Sequence, residues 1–282
     1  MSAFIWMSGA LMSFSLMAIG ARELAGTIST FQILFFRSAI GLVIILLVIF
    51  HTKRTALFKT NRFKLHFGRN VFHFLGQYGW FLGIGLLPLA QVFALEFTTP
   101  IWTLIFASVF LKEPLTLRKV IAIALGSVGV YLILNPGSNF VNAATVYVVG
   151  AAICYSLAYV CTKSLSSTDD PLTVLLFMCL IQLPMGLLLG ADNFVFPDAA
   201  QWGWLILIGI TALTAHFCMT NAMKTAEASV VVTLDFLRLP LIAAIGVVFY
   251  SEALKPMLIG GASLMLIGNL INIYKSKKNA PS

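Results

Sequence analysis

The sequence predicts an all-α integral membrane protein of ten transmembrane helices, arranged as two inverted five-helix repeats. Three observations predict it. First, 60% of the 282 residues are hydrophobic and 10% charged, where soluble domains carry roughly a quarter charged residues. Second, the chain is internally duplicated. Residues 6–24 and 147–165 read as two copies of one segment, with Gly9 on Gly150, Ala10 on Ala151, Phe14 on Tyr155, Ser15 on Ser156 and Arg22 on Lys163; further on, Glu96-Phe97 falls on Asp235-Phe236, Glu113 on Glu252 and Gly129 on Gly268. Third, Lys and Arg gather in alternate gaps between the apolar runs, the bias that orients membrane helices.

A span needs about 20 mostly apolar residues. The first, 3–21, has no basic segment before it and no small-residue cleavage site after it, so it is expected to be retained rather than removed as a signal peptide. The second is 29–50. The third, 69–86, stops before Pro88, and the fourth, 88–111, ends at Lys112-Glu-Pro114. The fifth, 117–134, ends before Pro136-Gly137, and the sixth is 144–163. Pro171 opens the seventh, 171–190. The eighth, 201–222, follows Pro197 and begins with Trp202 and Trp204, which read as interfacial anchors. The ninth is 228–250, and Pro256 opens the tenth, 256–274. Proline is expected at such boundaries because it stops or restarts helices. The halves are then 1–137 and 138–276, with 277–282 a basic tail.

Counted gap by gap, fourteen Lys and Arg fall on one side, against Arg22 and Lys255 on the other. Both termini are therefore expected in the cytoplasm of an inner (plasma) membrane. Five spans per copy is odd, so the second copy lies upside down, and two copies with the same folding preferences yield two near-equivalent states, one open to each side. The net charge of +8 acts as a topology signal and does not point to nucleic acid. Cys154, Cys161, Cys179 and Cys218 lie inside apolar runs without CxxC spacing and read as packing residues.

Within 87–137, Pro88-Leu-Ala, Ala94-Leu-Glu-Phe-Thr-Thr-Pro100, Leu111-Lys-Glu-Pro114, Arg118 and Gly126-Ser-Val-Gly-Val130 resemble the EamA-type branch of the drug/metabolite transporter superfamily, as does Phe35-Phe-Arg37 in the second span. The resemblance covers essentially the whole chain. It implies a ten-helix bundle with a central cavity lined by spans one, three, four, six, eight and nine, with the fifth and tenth spans peripheral. The usual cargo is a small organic metabolite such as an amino acid or a derivative. Glu96 departs from the family pattern, which usually has a small or hydroxyl residue there.

Ionisable side chains at membrane depth are costly and call for a reason. Four stand out: Arg37, Glu96, Asp235 and Arg238. Either Arg37 pairs with Glu96 and Asp235 with Arg238, neutralising one another, or Glu96 and Asp235 face the cavity from opposite repeats and bind a cationic group or protons. Arg37, on a span outside the expected lining, reads as structural or gating, together with Arg238. Gln77 aligns with His216, and both either bond neighbouring helices or orient a substrate. Trp80, Trp102, Tyr155 and Tyr159 lie deep on expected cavity spans, where aromatics either pack or hold a planar ring or a cation. Gly79 and Gly83 form a GxxxG whose ordinary meaning is close helix approach.

An integral membrane enzyme is the rival reading. It needs acidic pairs for a metal, a His cluster, or a nucleophile with its base. Asp169-Asp170 is the one acidic doublet and reads as a solvated turn, and no Walker A or HExxH motif is present. No metal and no cofactor are expected. The expectation is a secondary carrier, monomeric or homodimeric, whose partners are a small-molecule substrate and the lipid bilayer. The substrate is a polar organic metabolite, zwitterionic or cationic, with amino acids or S-adenosylmethionine as leading examples. Direction of transport and coupling to a proton stay open.

Overall fold

A computed structural model describes residues 3–134, 143–192, 194–251 and 256–274. The expected break at Pro136-Gly137, the repeat partner Glu252, the outward-counted Lys255 and the basic tail lie outside them. The described residues form helices α1 (Ala3–Leu24), α2 (Thr30–His51), α3 (Phe63–Leu86), α4 (Leu89–Glu96), α5 (Thr99–Phe110), α6 (Leu117–Leu134), α7 (Ala143–Ser166), α8 (Pro171–Leu189), α9 (Ala199–Thr225), α10 (Ala228–Leu234), α11 (Arg238–Tyr250) and α12 (Pro256–Tyr274). No strand occurs among them. Six segments are long and apolar enough to cross a membrane: Ala3–Leu24, Thr30–His51, Gln91–Phe110, Ala143–Ser166, Pro171–Leu189 and Ala199–Thr225.

Local chemistry sets several of the boundaries. The Ser29 hydroxyl accepts the Gln32 amide at the start of α2, at 3.3 Å. Asp170 accepts from Leu172 ahead of α8, whose first residue is Pro171, and Asp198 and Gln201 form a reciprocal capping box on α9. Each of these side chains satisfies an amide that a helix start leaves unpaired.

Three spans differ from the sequence expectation. The third starts at Phe63 instead of 69. Its first turns carry His66, expected in the loop, and Arg69, counted with the loop cations; with Asn70 they continue a stripe of polar or amphipathic residues through His73, Gln77 and Trp80, all buried. That spacing of three and four places them on one helix face. The fourth and ninth spans are each broken in two. Pro100 has no amide hydrogen for the carbonyl of Glu96, and that oxygen takes the Thr99 hydroxyl instead. In the ninth span a 3-10 turn at Asp235–Leu237 makes the break, and Pro240 is the third residue of α11 beyond it.

The most extensive helix contacts pair α3 with α7, α1 with α9, α6 with α12 and α2 with α8; α10 packs on α5 and α11 on α4. Exchanging each of α1–α6 with the helix six places later maps these six pairings onto one another, whereas α5 packs on α7 more extensively than its counterpart α11 packs on α1. Individual contacts obey the same exchange. Arg22 donates to the carbonyls of Ile84 and Leu87 at the end of α3, and Lys163 donates to those of Met223 and Ala226 at the end of α9. Cations suit these positions because the last carbonyls of a helix lack intrahelical donors. A Cβ on Gly129 would lie 2.5 Å from the Gly261 carbonyl oxygen, and one on Gly268 would lie 2.8 Å from that of Ala122, so α6 and α12 meet backbone to backbone at both points.

The outer surface is apolar, with Leu188, Val248 and Leu47 well exposed, while polar side chains turn inward. This is the distribution a lipid environment requires. The Asp169-Asp170 doublet is not a free solvated turn. Asp169 accepts from Thr60 at 2.8 Å and lies 2.7 Å from His66 Nε2. Asp170 pairs with Arg54 at 2.9 Å, and Arg62 donates to the Ser164 carbonyl and hydroxyl, both at 2.6 Å. The α2–α3 connection is thus clasped to the α7–α8 connection.

Burial pushes the Asp169 carboxyl up, but the hydrogen bonds from His66, Thr60 and Thr168 outweigh it and hold the group below its ordinary value. A depressed folded-state value means that this carboxyl stabilises the folded protein above the ordinary Asp range, about 3.9, and that the contribution disappears as pH falls through the depressed value. Asp169→Asn is therefore expected to lower the thermal midpoint at neutral pH and to flatten its decline below pH 4. Parallel pH profiles for wild type and variant in detergent would contradict the clasp.

Candidate binding site

Both broken helices stop at a carboxylate. Glu96 is the last residue of α4, and Asp235 follows α10 directly. Arg238, the first residue of α11, reaches both: its Nη2 lies 2.8 Å from Glu96 Oε1 and 2.5 Å from Asp235 Oδ2. Trp80 Nε1 donates to the other Glu96 oxygen at 2.7 Å. The guanidinium sits between two rings, 4.9 Å from the centroid of Phe14 and 4.7 Å from that of Phe93, where ring quadrupoles attract a cation. All three charged residues are buried. With every group ionised, two carboxylates face one guanidinium, leaving a net charge of −1. Asp235 Oδ1 and Arg238 Nε are buried without a hydrogen-bond partner.

Of the two alternatives, the pairing of Arg37 with Glu96 does not form, while the pairing of Asp235 with Arg238 does. Arg238 serves both carboxylates, whereas Arg37 points toward α8, donating to Gln182 Oε1 at 3.3 Å and lying 3.8 Å from Met178 Sδ. Depth alone had suggested the pairing, and the azimuth of α2, which turns this face to α8, decides against it. Met178 is the repeat-equivalent of Arg37, so the two positions meet across the α2–α8 contact.

Beside the cluster is a narrow pocket walled by Phe14 from α1, His73, Gln77 and Trp80 from α3, Glu96 from α4, Tyr155 and Tyr159 from α7, His216 from α9 and Arg238 from α11. These helices correspond to the expected lining spans. Its volume is about 10 Å³, room for roughly one water, whereas sites for organic ligands usually enclose about 300–1,000 Å³. The site is therefore closed in this conformation. Tyr155 and Tyr159 stack with centroids 6.1 Å apart, and the His73 and His216 rings meet edge to face at 4.5 Å. Asp235 lines an adjoining space with Glu96, Thr99 and Tyr159.

Of the residues singled out from sequence, Trp102 alone of the substrate set lies on neither wall, and its Nε1 is buried without a partner. Gly79 and Gly83 face α7, against Tyr147, Val148 and Ala151. Sequence reasoning missed Phe14 and Phe93 as ring partners of Arg238; they carry no signal beyond being aromatic on lining helices. It also missed Gln182, a lone amide in an apolar run, and Arg69, counted as a loop cation.

The profile of the EamA-like transporter family matches residues 1–135 and again residues 142–274. The chain belongs to the EamA-like transporter family. The expected resemblance is thereby borne out, and the protein is a multi-pass membrane transporter of a small metabolite. It is 23% identical over 273 residues to an S-adenosylmethionine uptake transporter of Rickettsia felis, covering 97% of this chain and 92% of that one. It is 31% identical over 207 residues to a riboflavin transporter of Rhizobium johnstonii, covering 73% and 68%. A crystal structure described only as that of a protein matches with a TM-score of 0.80 at 17% identity, over 99% of both chains; at that identity it bears on the fold alone.

Proposed function

We propose that this EamA-like transporter is a secondary carrier that moves a zwitterionic or cationic organic metabolite, of the amino-acid or S-adenosylmethionine kind, across the inner membrane by alternating access. The observation that carries the reading is the Glu96–Arg238–Asp235 cluster at the break of both discontinuous helices, beside a closed pocket. Broken helices near mid-membrane are where secondary transporters bind solutes and ions. A net charge of −1 held between aromatic rings suits a cationic substrate centre, with Arg238 occupying its place in the closed state.

In this reading, residues 1–137 and 138–276 are inverted five-helix halves. The matched helix pairings and the paired helix-end caps of Arg22 and Lys163 support it. The positive-inside count puts both termini in the cytoplasm, on the face where Arg54, His66 and Arg62 are clasped to the α7–α8 connection. Glu113, which accepts from the Ala228 amide at 2.7 Å and the Ser229 hydroxyl at 2.6 Å, ties α10 into the same face. The cytoplasmic side is then closed, and Glu96 or Asp235 is the group available for proton coupling. The carrier does not act as an enzyme.

The stacked Tyr155 and Tyr159 support a second reading, a planar heteroaromatic cargo such as riboflavin. Proteoliposomes offered labelled S-adenosylmethionine, amino acids and riboflavin, with and without a pH gradient, separate the two. Uptake or counterflow of a cationic or zwitterionic solute is expected, and Glu96→Gln is expected to weaken its apparent affinity about tenfold or more by removing a charge-assisted contact. Transport of riboflavin with no cationic solute moved would overturn the first reading, as would undiminished affinity in Glu96→Gln.

A further inference from the structure

Behind Gln77 on the pocket lining lie two buried guanidiniums that have no acidic partner among the described residues. Arg37 and Arg69 are each 2% exposed, and neither forms an ion pair among the described residues. Their contacts are neutral. Arg69 donates from Nη1 to Asn70 Oδ1 at 2.7 Å and from Nε to Thr162 Oγ1 at 3.2 Å. Gln182 links the two arginines: its Oε1 accepts from Arg37, and its Nε2 donates to Asn70 Oδ1 at 3.1 Å. Gln77 completes the set. With its amide turned to satisfy both of its ends, its oxygen accepts from Arg37 Nη1 and Nη2 at 2.8 and 2.9 Å, and its nitrogen donates to Gln182 Oε1 at 2.9 Å.

Two uncompensated buried charges destabilise a fold unless something supplies the missing counter-charge. No protein carboxylate among the described residues does so. The Gln77 oxygen, meanwhile, takes the two-pronged position that a carboxylate takes on a guanidinium fork. Gln77 also lines the pocket, one helical turn from Trp80, which holds Glu96. The pocket therefore runs from the acidic cluster to Gln77, and the two guanidiniums lie behind that amide rather than on the lining.

We propose that Arg37, reached by displacing the Gln77 amide, and Arg69 behind it, linked through Asn70 and Gln182, form the anion subsite of this carrier and bind a substrate carboxylate, while Glu96 and Asp235 hold the cationic end. The ligand class is a zwitterion bearing a carboxylate, rather than a simple amine or sulfonium. The proposal rests on the carrier reading above and adds a residue pair and a chemical requirement to it.

The test uses the full chain in proteoliposomes and in detergent, with matched probes that differ by one carboxylate: S-adenosylmethionine and its decarboxylated form, tyrosine and tyramine, tryptophan and tryptamine. Wild type is expected to prefer the carboxylated member of a transported pair by about tenfold or more, the scale of a charge-assisted hydrogen bond. Arg37→Gln and Arg69→Gln are expected to reduce that preference to within about threefold, leaving affinity for the amine nearly unchanged. Gln77→Glu places a carboxylate on the fork, so it is expected to raise the thermal midpoint of the unliganded protein and abolish the preference. That variant keeps the test decisive if the arginine variants fail to fold. Equal transport of both members by wild type, or no stabilisation in Gln77→Glu, would overturn the subsite and leave the carrier reading standing. Absence of transport or binding for every probe counts against both.

Discussion

Replacing Arg238 with methionine is expected to be the most damaging single change in the protein. It removes the partner of both Glu96 and Asp235 and leaves two carboxylates buried together, with the Trp80 indole the one other donor to either among the described residues. Stripping one partner from a buried ion pair costs about 3–5 kcal/mol, and here one guanidinium serves two acids. Methionine preserves volume between Phe14 and Phe93, so packing loss is a minor part. Transport is expected to be abolished and the thermal midpoint in detergent to fall sharply. Asp235→Asn leaves a balanced Glu96–Arg238 pair and is expected to be much milder. Adding Glu96→Gln to Arg238→Met is expected to recover part of the lost stability, because it removes one of the unpaired charges. If Asp235→Asn proves as harmful as Arg238→Met, the charge count assigned to the cluster is wrong.

Gly79→Leu is the second large expected effect. A Cβ at Gly79 would lie 2.6 Å from the Tyr147 carbonyl oxygen and 3.2 Å from Ala151 Cβ. Backbone cannot yield as a side-chain tip can, so α3 and α7 must separate. Overpacking of this kind costs about 1–3 kcal/mol for small additions, and leucine adds three further carbons. Because α3 and α7 carry most of the pocket's polar and aromatic wall, transport is expected to fail together with stability. Gly68→Ala is the control: it lies in the same helix with nothing within 4 Å of the new Cβ, and it is expected to be neutral or to stabilise by up to about 1 kcal/mol. Similar midpoints for Gly79→Leu and wild type would show that the close α3–α7 approach is not required.

Much of the site was legible because charges in apolar runs are rare and conspicuous. Glu96, Asp235 and Arg238 were identifiable from their cost in a membrane, and Gln77, His216, Tyr155 and Tyr159 from their depth on lining spans. Which of them pair was not legible. Arg37 and Glu96 share a depth, but pairing depends on the rotation of each helix about its axis, which only packing establishes. Arg69 was hidden by a boundary: a cation at the expected edge of a span reads as a topology signal, and the stripe from His66 to Trp80 shows it to be interior. The helix breaks at Glu96 and Asp235 had a signal in Pro100 and Pro240, but proline inside an apolar run is also compatible with a kinked continuous helix.

The sequence by itself determined that this chain is helical, membrane-embedded and duplicated, and which family it joins, because hydropathy, proline placement and internal similarity are properties of residues in order. Tertiary structure alone decided that one arginine holds two acids and sits between aromatic rings, that two other arginines stand without an acid among the described residues, and that Gln77 takes the place of one on Arg37. Those outcomes depend on which faces of α2, α3, α8 and α11 meet. That is settled by close approaches such as Gly79 on Tyr147, between residues far apart in the chain, and no local pattern encodes it.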